Sequence, residues 1–131
     1  MTQQLTNLAI TIDLEDERKG LRFYESIVTE AVDQVFTAFG ENVKQVLYKS
    51  IEINFGIKRK EIPNRIYDFA ESLEAIFGSA ARLVQVKTIE KIQAKILGFC
   101  YKSMQEEVIF TEYLTELRQY LTQHVELSDQ S

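Results

Sequence analysis

The sequence predicts an all-helical protein, a compact bundle of about five helices preceded by an extended N-terminal arm. Three observations lead to this fold class. Apolar residues recur every three or four positions through most of the chain, which is the spacing of one face of an α-helix. Glycines at positions 40, 56, 78 and 98 stand between these runs, and the single proline, Pro63, lies beside one of the breaks. The short links favour antiparallel packing of consecutive helices.

The composition predicts one domain over residues 1–131. The chain is 45% hydrophobic and 27% charged, which is ordinary for a globular protein and too apolar for a disordered one. Its net charge of −5 argues mildly against non-specific binding to polyanions. A single cysteine excludes an intramolecular disulfide and fits a reducing compartment. Because the chain shows neither a signal peptide nor a membrane-spanning apolar run, we expect a cytoplasmic protein with no membrane contact.

Residues 1–14 are predicted to form the extended arm. Leu8, Ile10 and Ile12 alternate with small or polar residues, which is the period of a β-strand. A lone strand leaves its backbone groups unpaired. The arm is therefore expected either to be a simple extended segment or to pair with its copy in a second chain, with Leu8, Ile10 and Ile12 as the candidate dimer contacts.

Glycines bound the first two predicted helices. The first follows an acidic run at residues 13–17, whose charge suits the positive end of a helix dipole, and it ends at Gly40. The second is predicted from Glu41 to Phe55 and is closed by Gly56. The expected core-facing residues are Leu21, Tyr24, Val28, Ala31, Val35 and Ala38 in the first helix, and Val43, Val46, Leu47, Ser50, Ile51 and Asn54 in the second.

Three further helices are predicted after the link at residues 58–61. The third begins near Ile62 or Pro63, since proline is tolerated in a first helical turn. The fourth is capped by Ser79 and extends to Leu97. A loop over residues 99–110 precedes the last helix, capped by Thr111, and residues 127–131 form a loose tail. The expected core residues are Ile66, Phe69, Ala70, Leu73, Ile76 and Phe77, then Leu83, Val86, Ile89, Ile92 or Gln93, and Ile96, then Leu114, Leu117, Leu121, and Val125 or His124.

The sequence carries no recognisable catalytic, cofactor-binding or metal-binding motif. One histidine, His124, and one cysteine, Cys100, are too few for a zinc site, which takes three or four ligands. Cys100 stands between Phe99 and Tyr101, a setting more typical of a packing residue than of a nucleophile. The glycines are too dispersed for a phosphate-binding loop. We therefore expect no enzyme, no cofactor and no metal.

Basic residues are concentrated in two places. Three lysines recur every four residues along one face of the fourth helix. Four other basic residues lie in or near the link that precedes the third helix. The favoured interpretation is a solvated surface; the alternative is a contact surface for nucleic acid or another anion. The residues concerned are Lys58, Arg59, Lys60, Arg65, Lys87, Lys91 and Lys95.

Three short motifs lie between Tyr48 and Ile92: Asn-Phe-Gly-Ile at 54–57, Glu-Ile-Pro-Asn-Arg at 61–65 and Ile-Phe-Gly at 76–78. With these motifs the stretch resembles small helical proteins of unknown function found in archaea. The resemblance implies a compact helical cytoplasmic protein without a known activity, and it carries over no catalytic residue.

These observations predict a non-enzymatic helical module for protein–protein interaction or regulation that forms a homodimer. Eight phenylalanines and six tyrosines are a surplus for a domain of this size, and aromatic residues are enriched at interfaces. The protein partner is not indicated. One alternative is a nucleic-acid-associated transcriptional regulator that uses the basic residues. Another is a ligand-binding bundle with an apolar cavity.

Overall fold

The computed structural model describes the backbone of residues 2–96 and 109–130 and the side chains of residues 17–96 and 109–123. The α-helices are α1 (Thr2–Thr37), α2 (Glu41–Phe55), α3 (Ile66–Phe77), α4 (Ala81–Gln93) and α5 (Phe110–Gln130). Short 3-10 helices at Arg59–Asn64 and Gly78–Ala80 precede α3 and α4. Throughout these ranges the regular structure is helical, so the predicted all-helical bundle of about five helices is confirmed.

The helix α1 is the centre of the bundle, because α2, α4, α5 and the first 3-10 helix all pack against it. The predicted core positions Tyr24, Val28, Ala31 and Val35 are buried, whereas Ala38 is exposed. Additional buried positions widen the stripe, as expected of a helix that has neighbours on more than one side. These additional residues are Ile27, Val32 and Phe36.

The N-terminal segment differs from the predicted extended arm. Its backbone is helical from Thr2 onward, so residues 2–14 and the acidic run at 13–17 belong to α1. No proline interrupts α1, and its one glycine, Gly20, lies inside the helix. Adding a residue to an existing helix satisfies a backbone hydrogen bond that a lone strand cannot. The apolar residues at positions 5, 8 and 12 also fit helical spacing.

The third and fourth helices begin later than predicted, because a 3-10 turn precedes each. Pro63 is buried in the first 3-10 helix, and α3 begins at Ile66 after Arg65 leaves helical geometry at φ −133° and ψ 49°. Ser79 is not the cap of α4: it lies exposed in the second 3-10 helix, and Ala80 occupies the cap position without a side-chain hydrogen bond.

The buried face of α4 is rotated relative to the face that the sequence predicted. Ile89 and Ile92 are buried as expected, as is Ile96 just beyond the end of α4, but Leu83 is 60% exposed and Val84 is buried in its place. The buried polar residue Thr88 completes this face, and its hydroxyl donates a hydrogen bond to the Val84 carbonyl at 2.8 Å. A threonine satisfied in this way can occupy a core position.

The helix α5 lies against α1 and α3. Leu114, Leu117 and Leu121 are buried as predicted, together with Phe110 and Tyr113. The helix begins at Phe110, so Thr111 lies inside its first turn rather than at a cap. It also runs to Gln130, so residues 127–130 continue the helix instead of forming a loose tail; no glycine or proline follows Phe110.

The contact between α1 and α5 is very close at one point. Gly20 is buried inside α1, and a methyl group there would lie 2.7 Å from the Thr122 Cα atom and 2.9 Å from the Leu121 carbonyl carbon. Both neighbours are backbone atoms of α5. Glycine at position 20 therefore allows the two helix backbones to approach each other.

None of the helices in the described ranges combines the length and the hydropathy that a bilayer-crossing segment requires.

Candidate interaction surface

Apolar side chains on α2 face away from the core. Val46 and Ile53 are 65% and 67% exposed, and Val43 is 43% exposed. Leu47 and Ile51 are the residues of α2 that are buried. The apolar side predicted for α2 is thus divided between the core and the surface; Ser50 is half-buried, and Asn54 is exposed.

The geometry of an α-helix explains this division. Each residue turns the chain by about 100°, so Val46 and Ile53, seven residues apart, point in nearly the same direction. Leu47 and Ile51 are turned by about 100° and about 140° from Val46. A single helix therefore presents apolar side chains on two different sides. We call the exposed side the outer face of α2; it comprises Asn42, Val43, Val46, Lys49, Ser50, Glu52 and Ile53.

An exposed aromatic residue lies just before the N-terminal end of α2. Phe39, in the turn between α1 and α2, is 48% exposed. Its ring stacks on the half-buried ring of Phe77 at a centroid distance of 5.7 Å. The pair fixes the orientation of an exposed aromatic ring beside α2.

The outer face of α2 also carries two charges without a partner among the described residues. Lys49 and Glu52 are exposed, and neither forms an ion pair or side-chain hydrogen bond in that part of the chain. The other lysine of α2 behaves differently: Lys44 Nζ lies 3.0 Å from Glu41 Oε1 and 3.7 Å from Asp33 Oδ2.

One of the predicted anion-binding residues, Arg59, is held by α1 and α2. Its Nη2 atom donates a hydrogen bond to Asp33 Oδ1 at 3.0 Å, and its guanidinium lies 5.3 Å from the centre of the Tyr48 ring. The Tyr48 hydroxyl donates to the same Asp33 oxygen at 3.2 Å. Burial of the ring and the nearby carboxylate raise the pKa of Tyr48 well above its usual value. Asp33 therefore joins α1, α2 and the first 3-10 helix.

Arg65 likewise makes contacts within the protein. Its Nε and Nη2 atoms donate to Asp68 Oδ2 at 3.1 and 3.0 Å, and Nη1 donates to the Gly56 carbonyl oxygen at 2.7 Å. Gly56 ends α2 in the left-handed conformation, at φ 68° and ψ 27°. Arg65 thus links the C-terminus of α2 to the first turn of α3.

The basic residues do not form one uninterrupted surface. Lys95 Nζ lies 2.9 Å from Glu30 Oε1 of α1, and Lys87 Nζ lies 3.5 Å from Glu90 Oε2. A surface cleft of about 510 Å³ is lined by Glu25, Glu30 and Asp33 of α1 together with Arg59 and Lys60. Acidic side chains of α1 thus contact members of both basic groups. The predicted residues that are exposed and lack a described ion pair are Lys58, Lys60 and Lys91.

A second cleft, of about 400 Å³, lies where α1, α3 and α5 meet. Tyr24 is fully buried beside it, and its hydroxyl donates a hydrogen bond to the Pro63 carbonyl at 2.8 Å. Burial raises the pKa of Tyr24 well above its usual value. Asn64 donates to Glu25 Oε2 at 2.7 Å. These contacts anchor the first 3-10 helix to α1.

Several predicted residues lie outside the described part of the chain. They are the side chains of Leu8, Ile10, Ile12, His124 and Val125, and all of Leu97, Phe99, Cys100 and Tyr101. Among the residues that are described, no group of three or more His, Cys, Asp or Glu side chains is arranged to hold a metal ion.

Sequence reasoning missed Lys49, Glu52 and Ile53 as surface candidates. The signal was present: Ile53 lies outside the apolar side predicted for α2, and Val46 lies seven residues before it. That pattern indicates a second apolar direction on the helix.

Comparison of the chain with protein-family models, with curated protein sequences and with solved structures found no match. The resemblance of residues 48–92 to small archaeal helical proteins stays a prediction.

Proposed function

We propose that this protein is a non-enzymatic helical interaction module that acts as a homodimer in the cytoplasm. The observation that carries the proposal is the outer face of α2, where Val46 and Ile53 are about two-thirds exposed. Scattered surface aliphatic residues are ordinary. Here, however, they are aligned on one helix, which is the pattern of a surface that associates.

The size of this surface predicts a weak dimer. Burying an exposed valine or isoleucine contributes about 1.5–3 kcal/mol, and a symmetric dimer buries Val46 and Ile53 from both copies. The four side chains, each already about one-third covered, contribute about 4–8 kcal/mol. Association opposes this with a loss of translational and rotational freedom of about 4–15 kcal/mol. At most about 4 kcal/mol remains in favour of association, which corresponds to a dissociation constant of about 1 mM. Self-association is therefore expected towards the millimolar range and depends on protein concentration.

The nucleic-acid alternative has weaker support from the geometry. Four of the seven basic residues concerned are bound to carboxylates or to a backbone carbonyl: Arg59, Arg65, Lys87 and Lys95. Glu30 contacts Lys95 in one basic group, and Asp33 contacts Arg59 in the other. The negative charges of these two carboxylates would repel the phosphate backbone of a nucleic acid.

Sedimentation velocity on the full chain, from about 1 µM to about 1 mM, tests the proposal. The expected result is a reversible shift from monomer to dimer as concentration rises. A monomer over the whole range would refute the homodimer. Binding to duplex or single-stranded nucleic acid whose affinity falls with added salt would favour the alternative instead.

A further inference from the structure

We propose that the cleft where α1, α3 and α5 meet binds a small aromatic carboxylate, whose carboxylate group is held by Arg118 and whose ring lies against Tyr67. The inference does not depend on the proposed homodimer, because none of the described residues that line this cleft belongs to α2. It follows from the balance of charge in the cleft and from the side chains that its walls expose.

Arg118 of α5 carries a charge that no carboxylate neutralises among the described residues. Its side chain is exposed and forms neither an ion pair nor a hydrogen bond in that part of the chain. Thr115, which lines the same cleft, lies three residues earlier on α5 and therefore on the same side of the helix. Burial raises the pKa of Tyr24, and the positive charge of Arg118 opposes that rise. The Arg118 guanidinium group thus lies near the Tyr24 hydroxyl at the cleft.

The remaining charges around the cleft cancel. Arg65 Nε and Nη2 donate to Asp68 Oδ2 at 3.1 and 3.0 Å, so these two residues neutralise each other. Arg118 also borders an adjacent cleft of about 370 Å³ together with Glu17 and Arg18, whose opposite charges add no net charge. The charge of Arg118 is therefore in excess among the described lining residues, which favours an anion over a cation as the ligand.

A carboxylate matches this excess in charge and in shape. It carries a single negative charge, and its two oxygens accept parallel hydrogen bonds from one guanidinium group. A phosphate monoester at neutral pH carries about −1.5 to −2 charges, which is more than Arg118 balances. The charge of the cleft therefore favours a carboxylate over a phosphate.

The size and the walls of the cleft favour a ring beside the carboxylate. The cleft volume of about 400 Å³ lies within the range of about 300–1,000 Å³ that is usual for small-molecule sites. Tyr67, in the first turn of α3, is 64% exposed and lines the cleft together with Arg118. Because both residues line one cleft, a single small ligand can contact both, and stacking or edge-to-face packing on the Tyr67 ring favours an aromatic ligand.

The first test is an amide chemical-shift titration of the full chain with sodium benzoate at constant ionic strength. A ligand of this size is expected to bind with a dissociation constant of about 1–10 mM, and the largest shifts should fall at residues 64–68 and 115–118. Benzamide has the same shape without the charge and should bind at least about tenfold more weakly. Acetate, which lacks the ring, should bind at least about threefold more weakly.

The second test uses substitutions in the cleft. Arg118→Gln removes the charge and should lower the affinity for benzoate at least about tenfold, whereas Arg118→Lys keeps the charge without the paired N–H groups and should be intermediate. Tyr67→Ala should weaken benzoate binding about threefold and leave acetate binding unchanged. Arg22→Gln is the matched control, because Arg22 is exposed on α1 and does not line the cleft; its affinity for benzoate should be unchanged. All three side chains are exposed, so circular dichroism and thermal unfolding should match the unmodified protein.

A benzoate titration without saturable shifts in the cleft would overturn the inference. Equal benzoate affinity for R118Q and the unmodified chain would also overturn it, as would an equal loss of affinity in R22Q. If phenyl phosphate binds at the same residues more tightly than benzoate, the cleft is a phosphate site and the carboxylate assignment fails. The titration can be read on a monomer or on a dimer, so a failure of self-association refutes the proposed function and leaves this result unaffected.

Discussion

Replacement of Gly20 by alanine tests the close packing of α1 and α5. The new methyl group would lie 2.7 Å from the Thr122 Cα atom and closer still to the Leu121 carbonyl oxygen. Carbon atoms in ordinary contact are about 3.5–4.0 Å apart. Because the opposing atoms belong to the backbone, no side-chain rotation relieves the clash. The two helices must separate locally by about 1 Å.

Two opposing effects determine the change in stability. Overpacking of this kind destabilises a core by about 1–3 kcal/mol. Alanine inside a helix is favoured over glycine by about 0.5–1 kcal/mol. The packing effect is the larger one, so Gly20→Ala should lower the free energy of unfolding by about 1–2 kcal/mol. The melting temperature should fall by roughly 3–10 °C.

Urea unfolding followed by circular dichroism at the helical band measures this change. Lys19→Ala is the matched control, since Lys19 is exposed on the adjacent position of α1, and its stability should stay within about 0.5 kcal/mol of the unmodified protein. Gly20→Val should be more destabilising than Gly20→Ala. If Gly20→Ala is as stable as the unmodified chain or more stable, helix propensity governs the position and the close contact does not exist.

Three further predictions concern polar groups at helix junctions. Asp33→Ala should lower the free energy of unfolding by about 1–2 kcal/mol in urea titrations, because Tyr48 and Arg59 lose their shared acceptor; an unchanged midpoint would contradict the junction role. Tyr24→Phe should cost about 1 kcal/mol by the same measurement, since a buried carbonyl of the first 3-10 helix loses its donor, and no loss would mean that this carbonyl is already satisfied. Burial raises the pKa of Tyr113 from 10.0 to about 12, so the unfolded chain loses this proton first as pH rises. Stability should be unaffected by Tyr113 below about pH 10 and should then fall by about 1.4 kcal/mol per pH unit from this residue. Tyr113→Phe should make the free energy of unfolding fall less steeply at alkaline pH. The same slope as in the unmodified protein would contradict the burial of the Tyr113 phenol.

Local sequence signals predicted α2 better than the helices that follow it. Gly40 and Gly56 both adopt positive φ, at 110° and 68°, and these glycines bound the helix at the predicted residues Glu41 and Phe55. The predicted starts of α3 and α4 were wrong, because the 3-10 turns that precede these helices use the same residue types as the first turn of an α-helix. In α4, Thr88 is buried with its hydroxyl bonded to its own backbone, which an apolar pattern cannot anticipate.

The positions of the basic residues depended on contacts that sequence spacing does not reveal. Arg59 is bound by Asp33, 26 residues earlier, and Lys95 is paired with Glu30 on a different helix. A local count of charge identifies these residues as basic but does not show which carboxylates they meet. The outer face of α2 was missed for a related reason, since only the packing of the other helices determines which of its two apolar sides is covered.

The close contact between Gly20 of α1 and Leu121 of α5 joins positions about a hundred residues apart. Contacts of such long range form late, because a large loop must close first. On the ribosome, the apolar stripe of α1 is made well before α5, the helix that it contacts at Gly20. The nascent chain is therefore expected to need shielding of this stripe, by holdase chaperones or by transient collapse, until α5 has been synthesised.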